Sequence, residues 1–85
     1  MDLRNRIRYI RNIYGITQQN VADVLGVSKQ YVTQIETDKL TATDKRLEEV
    51  LNAVYQAGEA KKQGRLEQVI EDLKQQKQIK KNNQE

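Results

Sequence analysis

The side chains able to do chemistry in this chain are few in kind. There is no His and no Cys, which excludes imidazole acid–base work, a thiolate nucleophile and a structural zinc site. Asp23, Glu48 and Glu49 supply carboxylates, but they fall on exposed helix positions with no convergent partner group, so no enzymatic role is expected. What remains is a polar series: Lys29, Gln30, Tyr31, Thr33 and Gln34. Its two carboxamides occupy a surface that has no structural need for amides. A Gln side chain can pair with N6 and N7 of adenine, and a Lys ammonium can donate to O6 and N7 of guanine. Each such contact is worth about 1–3 kcal/mol of discrimination. A Tyr can set its ring edge on a thymine methyl or its hydroxyl on a phosphate. The plainer reading of the series is an ordinary solvated helix face.

The elements that carry this series are helical. The 85 residues contain no Pro and four Gly, so little interrupts a helix. At 36% hydrophobic the chain is too apolar for wholesale disorder and too polar for a large core. Leu3, Ile7, Ile10 and Tyr14 form one stripe of a first helix, with Arg4, Arg8 and Arg11 on another face, Asp2 as N-cap and Gly15 ending it. Thr17 opens a second helix to about 25, with Val21, Ala22 and Leu25 on one side. Ser28 opens a third, about 28–37, with Val32 and Ile35 inward. Thr41 or Thr43 caps a fourth, in which Leu47, Val50, Leu51 and Val54 recur at helical spacing. Gly58 and Gly64 suggest a linker or kink near 57–64, and a fifth helical pattern over 65–80 fades into a polar tail that should fray from about 75. The expected fold is therefore all-α: four to five helices with a C-terminal helix. The expected division is a domain over 1–57 and a polar helix with tail over 58–85.

The most specific stretch runs from Gln18 to Glu36. Two short helices must cross steeply on a tight connection. Ala22 suits the point of closest backbone approach, and Gly26 suits a turn that needs φ > 0. Val21, Leu25, Val27, Val32 and Ile35 anchor one helix on the other, and Ser28 caps the second. Around this corner lie the Leu-Arg-x-x-Arg opening, Gly-Ile-Thr-Gln-Gln at 15–19, Leu-Gly-Val-Ser at 25–28 and Ile-Glu-x-x-Lys at 35–39. Over roughly Leu3 to Val54 the chain resembles the phage-repressor, or Xre/Cro, family of helix–turn–helix proteins.

That resemblance implies a function. The helix from Ser28 would enter the major groove of double-stranded DNA, with Lys29, Gln30 and Gln34 at base edges and Tyr31 and Thr33 beside them. Thr17, Gln18, Thr37 and Lys39 would contact phosphates, and Arg11 and Glu36 would form a structural ion pair. Arg4, Arg6 and Arg8 are either a solvated face or phosphate contacts, with Arg6 and Arg8 best placed. Asp38 stands where the family often has Gly, putting a negative charge near phosphate. Such a protein would be a sequence-specific regulator, with a dimeric repressor on a palindromic operator expected first. An antitoxin that binds a small protein partner, or a partition protein on tandem repeats, are the alternatives. Pairing through Val54, Leu66, Val69, Ile70 and Leu73 would give a homodimer, unless 65–75 folds back on the domain's own core. Lys74, Lys77, Lys80 and Lys81 would add non-specific DNA affinity or solubility. No cofactor, metal or membrane association is expected, and the location should be cytoplasmic.

Overall fold

The computed structural model describes residues 2–83, with side chains through Gln76; those of Lys77, Lys80 and Lys81 lie outside the described residues. Five α-helices follow one another, and no strand occurs among the described residues: α1 (Leu3–Tyr14), α2 (Gln18–Leu25), α3 (Lys29–Glu36), α4 (Asp44–Lys62) and α5 (Leu66–Asn83).

Local chemistry fixes the helix ends. Asp2, Thr17, Ser28 and Thr43 each accept a hydrogen bond from the backbone N–H three residues on, satisfying an orphan donor of the first turn. At Thr17 the cap is reciprocal, because the Asn20 side chain accepts from the Thr17 N–H. Helix α1 stops at Gly15 and α2 at Gly26, both left-handed. Helix α3 ends with Asp38 at φ 59°, a conformation that Asp tolerates better than most side chains.

Helix α4 is the long central element, packed on α1 and α2. Ile7, Val21, Val32, Ile35, Val50 and Val54 are fully buried and meet in a single core. Full burial of each such side chain contributes about 1.5–3 kcal/mol. The linker expected near 57–64 is corrected in its first part: α4 runs on to Lys62, with Ala57, Gly58 and Ala60 buried. The chain turns only at Gly64, at φ 72°. Gly58 is there for packing. A Cβ added to it would lie 2.2 Å from Cγ of Tyr14, so the glycine makes room for that ring. Tyr14 also meets Tyr55 edge to face at 6.2 Å and donates to Glu59 Oε2 at 2.7 Å. That carboxylate raises the phenol's pKa above its usual value.

Helix α5 folds back beside α4 and α2. Leu66 packs on the core, Val69, Ile70 and Leu73 are half-buried, and Leu73 lies next to the α2–α3 corner. Helix α5 extends to Asn83.

Gly58→Ala tests the packing of α4. Inside a helix the change alone would stabilise by up to about 1 kcal/mol. Because the near end of the Tyr14 ring blocks the new methyl, a net loss of about 1–3 kcal/mol is expected in urea unfolding. A gain in stability would mean that the ring moves aside freely.

Candidate nucleic-acid interface

The corner expected over residues 18–36 forms as a tight crossing. Ala22, with no exposed surface, lies where α2 and α3 approach, and its carbonyl accepts from both Gly26 N and Val27 N, at 2.8 and 3.0 Å. Ser28 then starts α3, its Oγ accepting from Tyr31 N at 3.1 Å. Lys29 and Gln30, on the first turn of α3, are exposed, and no side-chain hydrogen bond within the described residues engages them. Gln34, one turn further on, is half-buried.

Two of the five residues of the series are held by the protein itself. The Thr33 hydroxyl lies 2.8 Å from Gln18 Oε1 and 3.1 Å from the Lys29 carbonyl, so it is turned inward along α3. Tyr31 is half-buried beneath Arg46 of α4. The Arg46 guanidinium sits 5.2 Å from the ring centroid, and its Nε donates to the Tyr31 hydroxyl at 2.8 Å. Arg46 also pairs with Glu49 at 2.9 Å. The hydrogen bond to Tyr31 raises the pKa of this guanidinium. Arg46 was invisible to the sequence reading, because nothing local connects positions 31 and 46.

The far end of α3 is gripped from α1. Arg11 holds Glu36 in a two-pronged pair, Nε at 2.7 Å and Nη2 at 3.0 Å, and also donates to the Ile16 carbonyl. The Glu36 side chain is 1% exposed, so the guanidinium replaces the water it has lost. Gln18 Nε2 adds a third donor at 3.1 Å. Arg8 donates to the Glu36 carbonyl at 3.3 Å and to Asn5. Arg4 donates to the Ile35 and Leu40 carbonyls, each at 2.7 Å, and pairs with Asp38 at 3.1 Å. Positions 4, 8 and 11 thus place three cations at the negative, carbonyl-bearing end of α3. The spacing was legible in the sequence; the surface it grips was not.

The remaining expected contact residues are spread around this corner. Thr17 and Lys39 are exposed beside α2 and after α3, respectively. Thr37 is exposed as well, with its hydroxyl donating to the Thr33 carbonyl. Gln18 links α2 to α3 through both ends of its amide. Arg6 lies on the other side of α1 from Arg4, Arg8 and Arg11, beside Tyr9, Ile10 and Tyr55. Val54 has no exposed surface and belongs to the core of its own chain.

A capped, tightly connected helix pair with an outward polar helix start defines the helix–turn–helix class. Residues 7–54, more than half of the chain, match the family model described as Helix-turn-helix, of Xre/Cro type. The chain belongs to that family, one of DNA-binding regulators rather than enzymes. No curated protein and no solved structure matches the chain. No helix among the described residues is long and apolar enough to cross a membrane.

Removing one partner of the Arg11–Glu36 pair leaves the other charge stranded. Arg11→Met should lower stability by about 3–5 kcal/mol, and Arg11→Met with Glu36→Met should recover most of that loss. Urea unfolding of both variants decides it. A single-variant loss below about 1 kcal/mol, typical of a surface pair, would show that the site is wetter than its geometry implies.

Proposed function

We propose that the chain is a dimeric repressor that places α3 in the major groove of a palindromic operator and blocks polymerase there. The observation that carries this reading is the state of the first turn of α3. Lys29 and Gln30 are exposed with their donors and acceptors uncommitted, on a helix whose other end is clamped by three arginines. A rigid helix presenting free amide and ammonium groups suits base reading, because little side-chain and backbone freedom is left to lose on binding. Gln34 extends the reading face by one turn. Tyr31 and Thr33 flank it, Tyr31 with its position set by Arg46 and Thr33 with its position set by Gln18.

Thr17, Gln18, Thr37, Lys39 and Arg8 contact the phosphates on either side and fix the register of α3 without reading sequence. Arg6 has no part in this surface. One such helix covers too few base pairs for tight, selective binding, so two copies act on half-sites about 34 Å apart.

The test begins with sequencing of genomic fragments retained by the full chain, which supplies a bound duplex. Gln30→Ala is then compared with the parent on that duplex and on a scrambled one, by fluorescence anisotropy. The variant should lose about 1–3 kcal/mol on the selected duplex and almost nothing on the scrambled one. Equal losses on both would refute base reading by Gln30.

A further inference from the structure

We propose that two copies of the chain pair through the face formed by Tyr9 and Ile13 of α1 and Tyr55 of α4. These are the large hydrophobic side chains left exposed among the described residues, at 53%, 63% and 40%. They do not lie scattered. Tyr9 and Ile13 are one turn apart on α1, and Tyr55 stands across the seam, where Arg6, Tyr9, Ile10 and Tyr55 line a groove of about 420 Å³. With Tyr14, three of the chain's four tyrosines gather along this seam. Aromatic side chains framed by charge are the composition of an interface centre rather than of free surface.

The charges on the face say what covers it. Tyr14 reaches Tyr55 and Glu59, and Lys61 donates to the Gly15 carbonyl, while Tyr55 spans back to Arg6 and Ile10. Helices α1 and α4 therefore run side by side in the same direction. The α1 column carries the cation Arg6. On α4, Glu48, Glu59 and Lys62 share the row of Tyr55, seven residues before it, four after it and seven after it, and Lys62 pairs with Glu59 at 4.0 Å, so Glu48 is the carboxylate left over. A face with one cation on α1 and one left-over carboxylate on the parallel α4 is complementary to itself. A two-fold axis running along the helices in the plane of the face lays α1 of one copy on α4 of the other. Arg6 of each copy then meets Glu48 of the other, and the tyrosines close on each other farther along the axis. Within the chain, Arg6 and Glu48 form no ion pair among the described residues, whereas Glu59 is engaged by Tyr14 and Lys62.

This face also leaves α3 unobstructed. On α1, the row of Arg6, Tyr9 and Ile13 lies about 160° around the helix from the arginines that grip α3, at 100° per residue. The apolar stripe of α5 is a weaker candidate, since Leu66 is packed on the core and Leu73 lies against the α2–α3 corner.

The inference deepens the dimeric reading above, and its test uses no DNA, so its failure and the failure of DNA binding are told apart. Sedimentation of the full chain across a dilution series should show a monomer–dimer equilibrium. Ile13→Glu, at the most exposed of the three positions, should raise the dimer dissociation constant by about tenfold or more, with the helical circular dichroism unchanged. Arg6→Glu and Glu48→Arg should each weaken the dimer, and the two together should restore it, which a misfolded chain could not do. Leu73→Glu should leave the dimer intact. A parent chain that stays monomeric at every concentration, an Ile13→Glu variant as dimeric as the parent, a charge swap that restores nothing, or dissociation by Leu73→Glu would each overturn the proposal.

Discussion

The buried carboxylate of Glu36 is the constraint around which this small protein is arranged. A charge withdrawn from water costs several kcal/mol unless its lone pairs are answered, and here Arg11 and Gln18 answer them from two different helices. Satisfying one side chain at the end of α3 therefore fixes α1, α2 and α3 relative to one another. Thr33 continues the chain of contacts by donating to the Gln18 carbonyl oxygen, so the inner edge of α3 is held along more than one turn. The outer edge, where Lys29 and Gln30 stand, is left free of such ties. Rigidity on one edge and uncommitted polar groups on the other are what a reading element requires.

Helix α1 serves three directions at once. Ile7 faces the core, Arg4, Arg8 and Arg11 face the end of α3, and Tyr9 and Ile13 face outward. The same periodicity supplies all three, because each row recurs at three- and four-residue steps. Asp38 gains from the arrangement too. Its negative charge, just beyond the end of α3, is offset by Arg4 at 3.1 Å.

What could be read from the sequence was whatever local chemistry decides. Asp2, Thr17, Ser28 and Thr43 cap their helices through atoms only three residues away, and Gly15, Gly26 and Asp38 turn the chain through their own backbone freedom. Gly58 was misread for the same reason: locally a glycine signals a break, while its cause here is the Tyr14 ring, 44 positions earlier in the chain. The hold of Arg46 on Tyr31 and the grip of Arg4 on the Leu40 carbonyl join elements that only the folded chain brings together. Residue types at the candidate site were legible, but which of them are already occupied was not. Gln18 and Thr33 looked like free polar groups and prove to be each other's partners.

The arginine clamp bears on how the protein's charge is to be counted. The composition gives +3, and the first twenty residues hold four arginines. Arg4 and Arg11 pair with Asp38 and Glu36 and spend further donors on carbonyls of the protein, and Arg6 points away from α3. A guanidinium that neutralises its own chain displaces no sodium ion from a duplex. Raising the ionic strength should therefore loosen this protein from DNA less steeply than its arginine-rich start suggests, leaving a larger share of its affinity to the shape and hydrogen-bonding edges of the groove.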